Sequence, residues 1–145
     1  MKRLPLYLAT LILALGFTGI QPVFAQQDGY MKVEDVEELL DDYEDFIGKK
    51  VSVPGEVEYR IDSRAFVLES GGLINDEIVV FLPKGFADDQ STMIVDDADL
   101  TVKGTIITYN VVEVEREMDW DWTPEIEAEL ENVVVVLKAE EIMQR

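Results

Sequence analysis

Two stretches of the chain, VSVPGEV at 51–57 and LTVKGTI at 100–106, share one pattern: apolar and polar residues alternate, a glycine interrupts them, and the alternation resumes. Alternation with period two marks a strand with one buried face. A glycine inside a strand offers nothing to pack, and the proline before Gly55 cannot donate to a ladder, so each break marks a bulge or a bend. A chain that bends two long strands is closing a small sheet on itself. Glycines and bulges are the devices by which strands curl into a barrel.

The remaining patterns supply the other staves. Residues 50–61 place Val51, Val53, Val57, Tyr59 and Ile61 on one side, and after a turn at Asp62-Ser63 the segment 64–70 returns as a hairpin. A third strand is expected over 77–82, halted by Pro83 and Gly85, and a fourth over 100–108 with a continuation through 111–115. The valine run at 133–139 suits a fifth strand buried on both faces. Before the strands, Val33, Val36, Leu39, Leu40, Tyr43, Phe46 and Ile47 recur at helical spacing among eight acids, which predicts an amphipathic helix over 32–47 closed by Gly48. Thr123, Pro124 and Glu125 read as the start of a short helix that Asn132 stops. The expected fold is mainly β: a five-stranded OB-fold-like Greek-key barrel with an N-terminal amphipathic helix and a short helix between strands 4 and 5.

Residues 1–25 carry Lys2 and Arg3, an apolar run and the small-residue ending Val23-Phe24-Ala25, the pattern of a cleaved secretory signal. The expected division is a signal peptide at 1–25, a linker at 26–31 and one domain at 32–145, with the barrel over 49–145 and no transmembrane segment after cleavage. The expected location is periplasmic or secreted. Of the 12 basic residues two precede position 26, and all 31 acidic residues follow it, so the remainder has a net charge of −21. Nucleic-acid backbones draw affinity from Lys and Arg displacing counterions, so this charge disfavours nucleic acid as a partner. A basic protein, a cation, a small ligand or plain solvation fits it better.

The chain has no histidine and no cysteine, which removes Ser-His pairs, cysteine nucleophiles and zinc sites. Only paired carboxylates, with Glu117, Asp119 or Asp121 as candidates, remain for acid–base chemistry, and the chain is read as a non-enzyme. The candidate ligand-binding set is Arg60, Arg64, Phe66, Phe81, Trp120 and Trp122. The two arginines flank the first hairpin turn, where they form an anion-receiving edge or pair with Glu58, Asp62 or Glu69. The two tryptophans lie in the connection that borders the usual OB-fold binding face, where they stack on a ring or pin a short helix to the barrel. Asp119 and Asp121 offer hard oxygen donors for a divalent cation, without a complete loop motif, and no other cofactor is expected.

In the order of a leader, the helix with VEDVEELL, the hairpin GKKVSVPGEVEYRIDSRAFVLES, EIVVFLP, DADLTVKGTI and a closing VLKAEEI, the chain resembles the exported bacterial OB-fold proteins, including the small periplasmic family of that name. The resemblance implies a noncatalytic periplasmic barrel that binds a small or charged ligand and is linked to envelope stress. It fixes no ligand residues, and the long connection between strands 4 and 5 departs from it. The function expected is an exported noncatalytic binding module for a small molecule, cation or protein partner. The alternative is an acidic structural or interaction protein of the envelope, and a carboxylate-dependent hydrolase or nucleic-acid binder comes last.

Overall fold

The structure is a computed structural model that describes residues 26–73 and 76–145. The signal segment expected at 1–25 lies outside the described residues. Five strands close a barrel: β3 (Lys50–Asp62), β4 (Ala65–Glu69), β5 (Glu77–Phe81), β6 (Asp99–Thr108) and β7 (Val135–Gln144). They pair in the order β3-β4-β5-β7-β6, and β6 returns to β3 to seal the ring. Only the β5–β7 contact within the ring is parallel. With strand 1 shared between two neighbours and strand 5 lying between strands 3 and 4, this is the OB-fold arrangement.

The two glycines lie inside strands. β3 pairs with β6 through Lys50–Glu56 and with β4 through Glu56–Asp62, so its partner changes one residue after Gly55. A Cβ at Gly55 would lie 2.7 Å from the Glu69 carbonyl oxygen and from Leu68 Cγ, and one at Gly104 would lie 2.1 Å from the Lys138 carbonyl oxygen. At Gly104 the register against β7 shifts, with Lys103 opposite Glu141 and Gly104 opposite Ala139. The second glycine therefore admits a bulged neighbour and does not divide its strand between two partners: β6 pairs with β3 and β7 side by side over most of its length.

Three other segments differ from the sequence reading. The stretch expected as a linker carries β1 (Gln26–Gln27) and β2 (Tyr30–Lys32), a hairpin whose second strand adds in parallel to β3. The N-terminal helix is two short ones, α1 (Val36–Asp41) and α2 (Tyr43–Phe46). Asp35 caps α1 through a hydrogen bond from the Glu38 amide, but Asp41 and Asp42 stand at its negative dipole end with no basic residue in the last turn, which favours the break. Gly48, at φ +78°, turns the chain into β3. The continuation of the fourth strand expected over 111–115 is helical: Asn110 caps α4 (Val111–Met118) by accepting from the Val112 and Glu113 amides. Thr123 caps α5 (Pro124–Glu129) as expected, accepting from the Ile126 amide, and a further single turn, α3 (Asp88–Ser91), lies in the connection before β6.

The apolar residues form two cores. The barrel interior holds Phe66, Leu68, Val80, Val102 and Leu137, closed at one end by Val36, Leu39 and Phe46 of the helical pair. The second core lies outside the barrel, where Val114 and Met118 of α4, Trp122, and Ile126 and Leu130 around α5 cover Ala65, Val79, Phe81 and Val136. No helix among the described residues is long and apolar enough to cross a membrane.

Candidate functional site

The outer face of β4 and β5 organises the site. On these paired strands Phe66, Leu68, Ile78 and Val80 face the barrel interior, so Ala65, Val67, Glu69, Glu77, Val79 and Phe81 face outward. β3 joins this face through a bulge. Val57 pairs with Leu68 and faces inward, but Tyr59 pairs with Val67, so the extra residue, Glu58, turns Tyr59 and Ile61 to the outside. The sequence reading put Tyr59 and Ile61 on the same side as Val57. One inserted residue reverses that, because the side-chain period is two.

The candidate ligand set does not come together on this face. Phe66 is fully buried in the barrel interior, whereas Phe81 packs outward beneath the tryptophans, with ring centroids 5.9 Å from Trp120 and 5.3 Å from Trp122. Trp122 is buried, stacks on Tyr109 at 5.8 Å and leaves its Nε1–H without a protein partner. It pins the connection between strands 4 and 5 to the barrel. Trp120 is half-buried, edge-on to Trp122 and under the Arg64 guanidinium, which lies 4.8 Å from its ring centroid.

The arginines bind carbonyls. Arg64 donates to Leu82 O at 3.0 Å and to Met118 O at 2.7 Å, where it meets the negative end of the α4 dipole. Arg60 donates to Asp62 O, Ser63 O, Ser91 O, Ser91 Oγ and Ile94 O, which ties the hairpin turn to the end of α3 and the loop after it. Their donors are thus engaged within the chain, by backbone oxygens and the Ser91 hydroxyl and not by the carboxylates named as alternative partners. Asp119 pairs with Lys84, whose hydrogen bond and charge hold its carboxyl below the usual range, and Asp121 is exposed. Glu117 pairs with Lys138. A general acid needs its carboxyl raised, so the depression at Asp119 runs the other way.

What remains open is the other end of the same face. A groove of about 350 Å³ runs beside Tyr59, Val67 and Val79, between Leu40 and Tyr43 of the helical pair and the segment 132–135 that leads into β7. Tyr59 is 37 % exposed and donates to Glu129 at 3.3 Å, while Val134 is 57 % exposed at the rim. The charged residues that line it, Glu77 and Glu129, are both acidic. Glu77 also belongs to a cluster with Glu58 and Glu69, in which one carboxylate oxygen of each lies within 4.8 Å of the others. Glu69 and Glu77 sit directly opposite across β4 and β5, a placement in which like charges repel. Glu58 Oε2 and Glu69 Oε2 are buried without a hydrogen-bond partner. Burial raises the Glu58 carboxyl, aided by a hydrogen bond with Glu77 and by its charge; burial likewise raises Glu69, with the charges of Glu58, Glu56 and Asp97 adding to it.

The sequence reading missed this cluster. Its signal was Glu58 and Glu69, spaced almost evenly about the turn at Asp62-Ser63, a spacing that brings them onto neighbouring rungs of a hairpin.

The fold defines an OB-type barrel with its strand-2 and strand-3 face half covered. No family model and no curated protein matches the chain. Among solved structures it is similar to a putative aspartyl-tRNA synthetase from Leishmania major Friedlin, at 12 % identity and a TM-score of 0.49, covering 86 % of this chain and 22 % of that one. It is also similar to the N-terminal domain of PriB from Thermoanaerobacter tencongensis, at 13 % identity and a TM-score of 0.41, over 66 % of this chain and 94 % of that one. An OBody bound to hen egg-white lysozyme is similar at 18 % identity and a TM-score of 0.42, over 69 % of this chain and 84 % of that one. The chain thus spans about a fifth of the synthetase's length. The expectation that nucleic acid is disfavoured as a partner rests on net charge alone and is corrected, one of the similar structures being a synthetase named for tRNA. Charge summed over a whole chain does not fix the charge of the one face a partner meets.

Proposed function

We propose that the protein is an exported, noncatalytic OB-fold binding module of the periplasmic kind, and that its ligand meets the uncovered half of the strand-2 and strand-3 face. One observation carries this reading: the groove over the buried Val67 and Val79 keeps Tyr59 and Val134 at the surface, next to a glutamate cluster in which two carboxylate oxygens lack partners. A barrel that only needed solvation would gain by covering Tyr59 and Val134 and separating those acids. The leader pattern at 1–25 supports export. The pairing of Glu117 and Asp119 with lysines, and the lack of histidine and cysteine, support a role without catalysis.

The test is a heteronuclear NMR titration of the chain from Gln26 with metals, sugars, nucleotides, oligonucleotides and cationic peptides. At least one probe is expected to shift the amides of Tyr59, Val67, Val79 and Val134 together. Shifts from no probe, or shifts confined to the acidic helices, would favour the second reading: an acidic envelope protein whose binding face is closed for good. The cover over Phe81 and Val136 by α4 and α5 is the observation on that side.

A further inference from the structure

The geometry points to a basic protein segment as the occupant of this groove, one that lays apolar side chains along Tyr59 and Val134, above the buried Val67 and Val79, and delivers a lysine to Glu58, Glu69 and Glu77. The inference rests on the binding role proposed above and names the partner for the same face.

Charge complementarity selects the occupant. The groove is apolar along its floor, its charged lining is acidic only, and one of those acids, Glu77, belongs with Glu58 and Glu69 to the cluster drawn together by the β3 bulge and the β4–β5 register. An ammonium group has three donors and no acceptor, which matches three converging carboxylates of which two hold an unpartnered buried oxygen. A lysine also brings an apolar stem that covers valine surface on the way to its charge. A divalent metal ion fits less well. Calcium takes six to eight oxygens, which three glutamates supply only if each binds through both of its oxygens, and a metal would make no use of Tyr59 and Val134 next to it. A second copy of this chain would bring like charge against like charge. At about 350 Å³ the groove lies in the range of sites that hold a few side chains, roughly 300–1,000 Å³. Its floor is held by β3, β4 and β5, and strands hold a receptor more rigidly than loops do.

Calorimetric and NMR titrations of the chain from Gln26 with a blocked peptide of alternating valine and lysine test the inference. Binding is expected with shifts at Tyr59, Val67, Val79 and Glu77, lost when glutamate replaces lysine and weakened about tenfold or more when glutamine does. Two variants report independently. Glu58→Gln with Glu77→Gln removes charge from the cluster, and Val134→Arg puts a cation at an exposed rim position where it leaves the core intact. Each is expected to weaken the peptide about tenfold while the melting temperature holds or rises. Undiminished binding to both variants overturns the inference, as does peptide that maps only to the acids of α1 and α2, calcium that saturates the cluster and excludes the peptide, or self-association that buries the groove. If a sugar, nucleotide or oligonucleotide shifts the groove and the peptide does not, the basic partner is wrong while the binding module stands. If nothing shifts it, both fail.

Discussion

Single residues set how closely the strands approach and what the open face carries. Gly104 admits the Lys138 carbonyl to a distance no side chain tolerates, 2.1 Å from a would-be Cβ, and both groups are backbone in a closed ring. Gly104→Ala is therefore expected to cost at least the roughly 1–3 kcal/mol of ordinary overpacking, measured by urea unfolding. Gly55→Ala, where one of the two contacts is the mobile Leu68 side chain, is expected to cost less. The half-buried glutamates act through protons. Glu58 and Glu69 are raised above their ordinary value of 4.5, so the folded chain binds these protons more tightly than the unfolded chain does. Their contribution to stability is then complete below that ordinary value and is lost as pH rises through the raised ones. Glu140, lowered chiefly by the Tyr30 hydroxyl and also by Lys50, has the opposite sign: its contribution is present above the ordinary value and is lost as pH falls through the lowered one. Glu69→Gln isolates the first effect. Its melting temperature relative to the parent is expected to be higher near pH 8 than near pH 4, by scanning calorimetry, and a difference independent of pH would remove Glu69 from this account.

Among the elements, the connection between strands 4 and 5 decides which part of the barrel a partner can reach. Thr123 and Trp122 anchor it: the hydroxyl caps α5, and the indole fills the space between Phe81 and Tyr109. Thr123→Ala is expected to cost about 1 kcal/mol in chemical unfolding. Trp122→Ala is expected to cost about 3–5 kcal/mol and to speed hydrogen exchange in α4 and α5 ahead of the barrel. Trp122→Phe is expected to cost much less, because it also removes a buried indole N–H without a partner, a group that costs about 1–3 kcal/mol. The same elements mark what the sequence makes legible. Thr123-Pro124, Gly48 and the five alternating or valine-rich segments carry local signals strong enough to read without coordinates. The helix at Val111–Met118 was hidden because VVEVE satisfies the period of a strand as well, and only Asn110 as its cap and the spacing of Val111, Val114 and Met118 favour the helix. The bulge at Glu58 has no local signal at all. It follows from how β3 must pair with β4 after leaving β6, and with it went the outward placement of Tyr59 and Ile61.

For the whole molecule the dominant quantity is charge, a net −19 on 145 residues. The acids lie along α1 and α2, on the barrel rim and in the connection after strand 4, while several of the lysines are already paired, as Lys50 with Glu140, Lys84 with Asp119 and Lys138 with Glu117. What is left is repulsion among carboxylates in the folded state, and expansion of the chain relieves it. Added salt weakens that repulsion as the screening length contracts from about 10 Å at 0.1 M to about 3 Å at 1 M. The melting temperature is therefore expected to rise steadily with sodium chloride over this range. Calcium and magnesium at matched ionic strength are expected to raise it equally, because screening depends on charge and not on coordination. The two ions differ in a site that binds them: calcium accepts a loose cage of oxygens, and magnesium demands a tight octahedron. A calcium-specific increment that disappears in Glu58→Gln with Glu77→Gln would turn the strand-borne carboxylates into a metal site and remove the lysine from the groove. An increment that survives in that variant would locate the metal elsewhere, on the acids of α1 and α2 or at Asp119 and Asp121, and leave the open face to its partner.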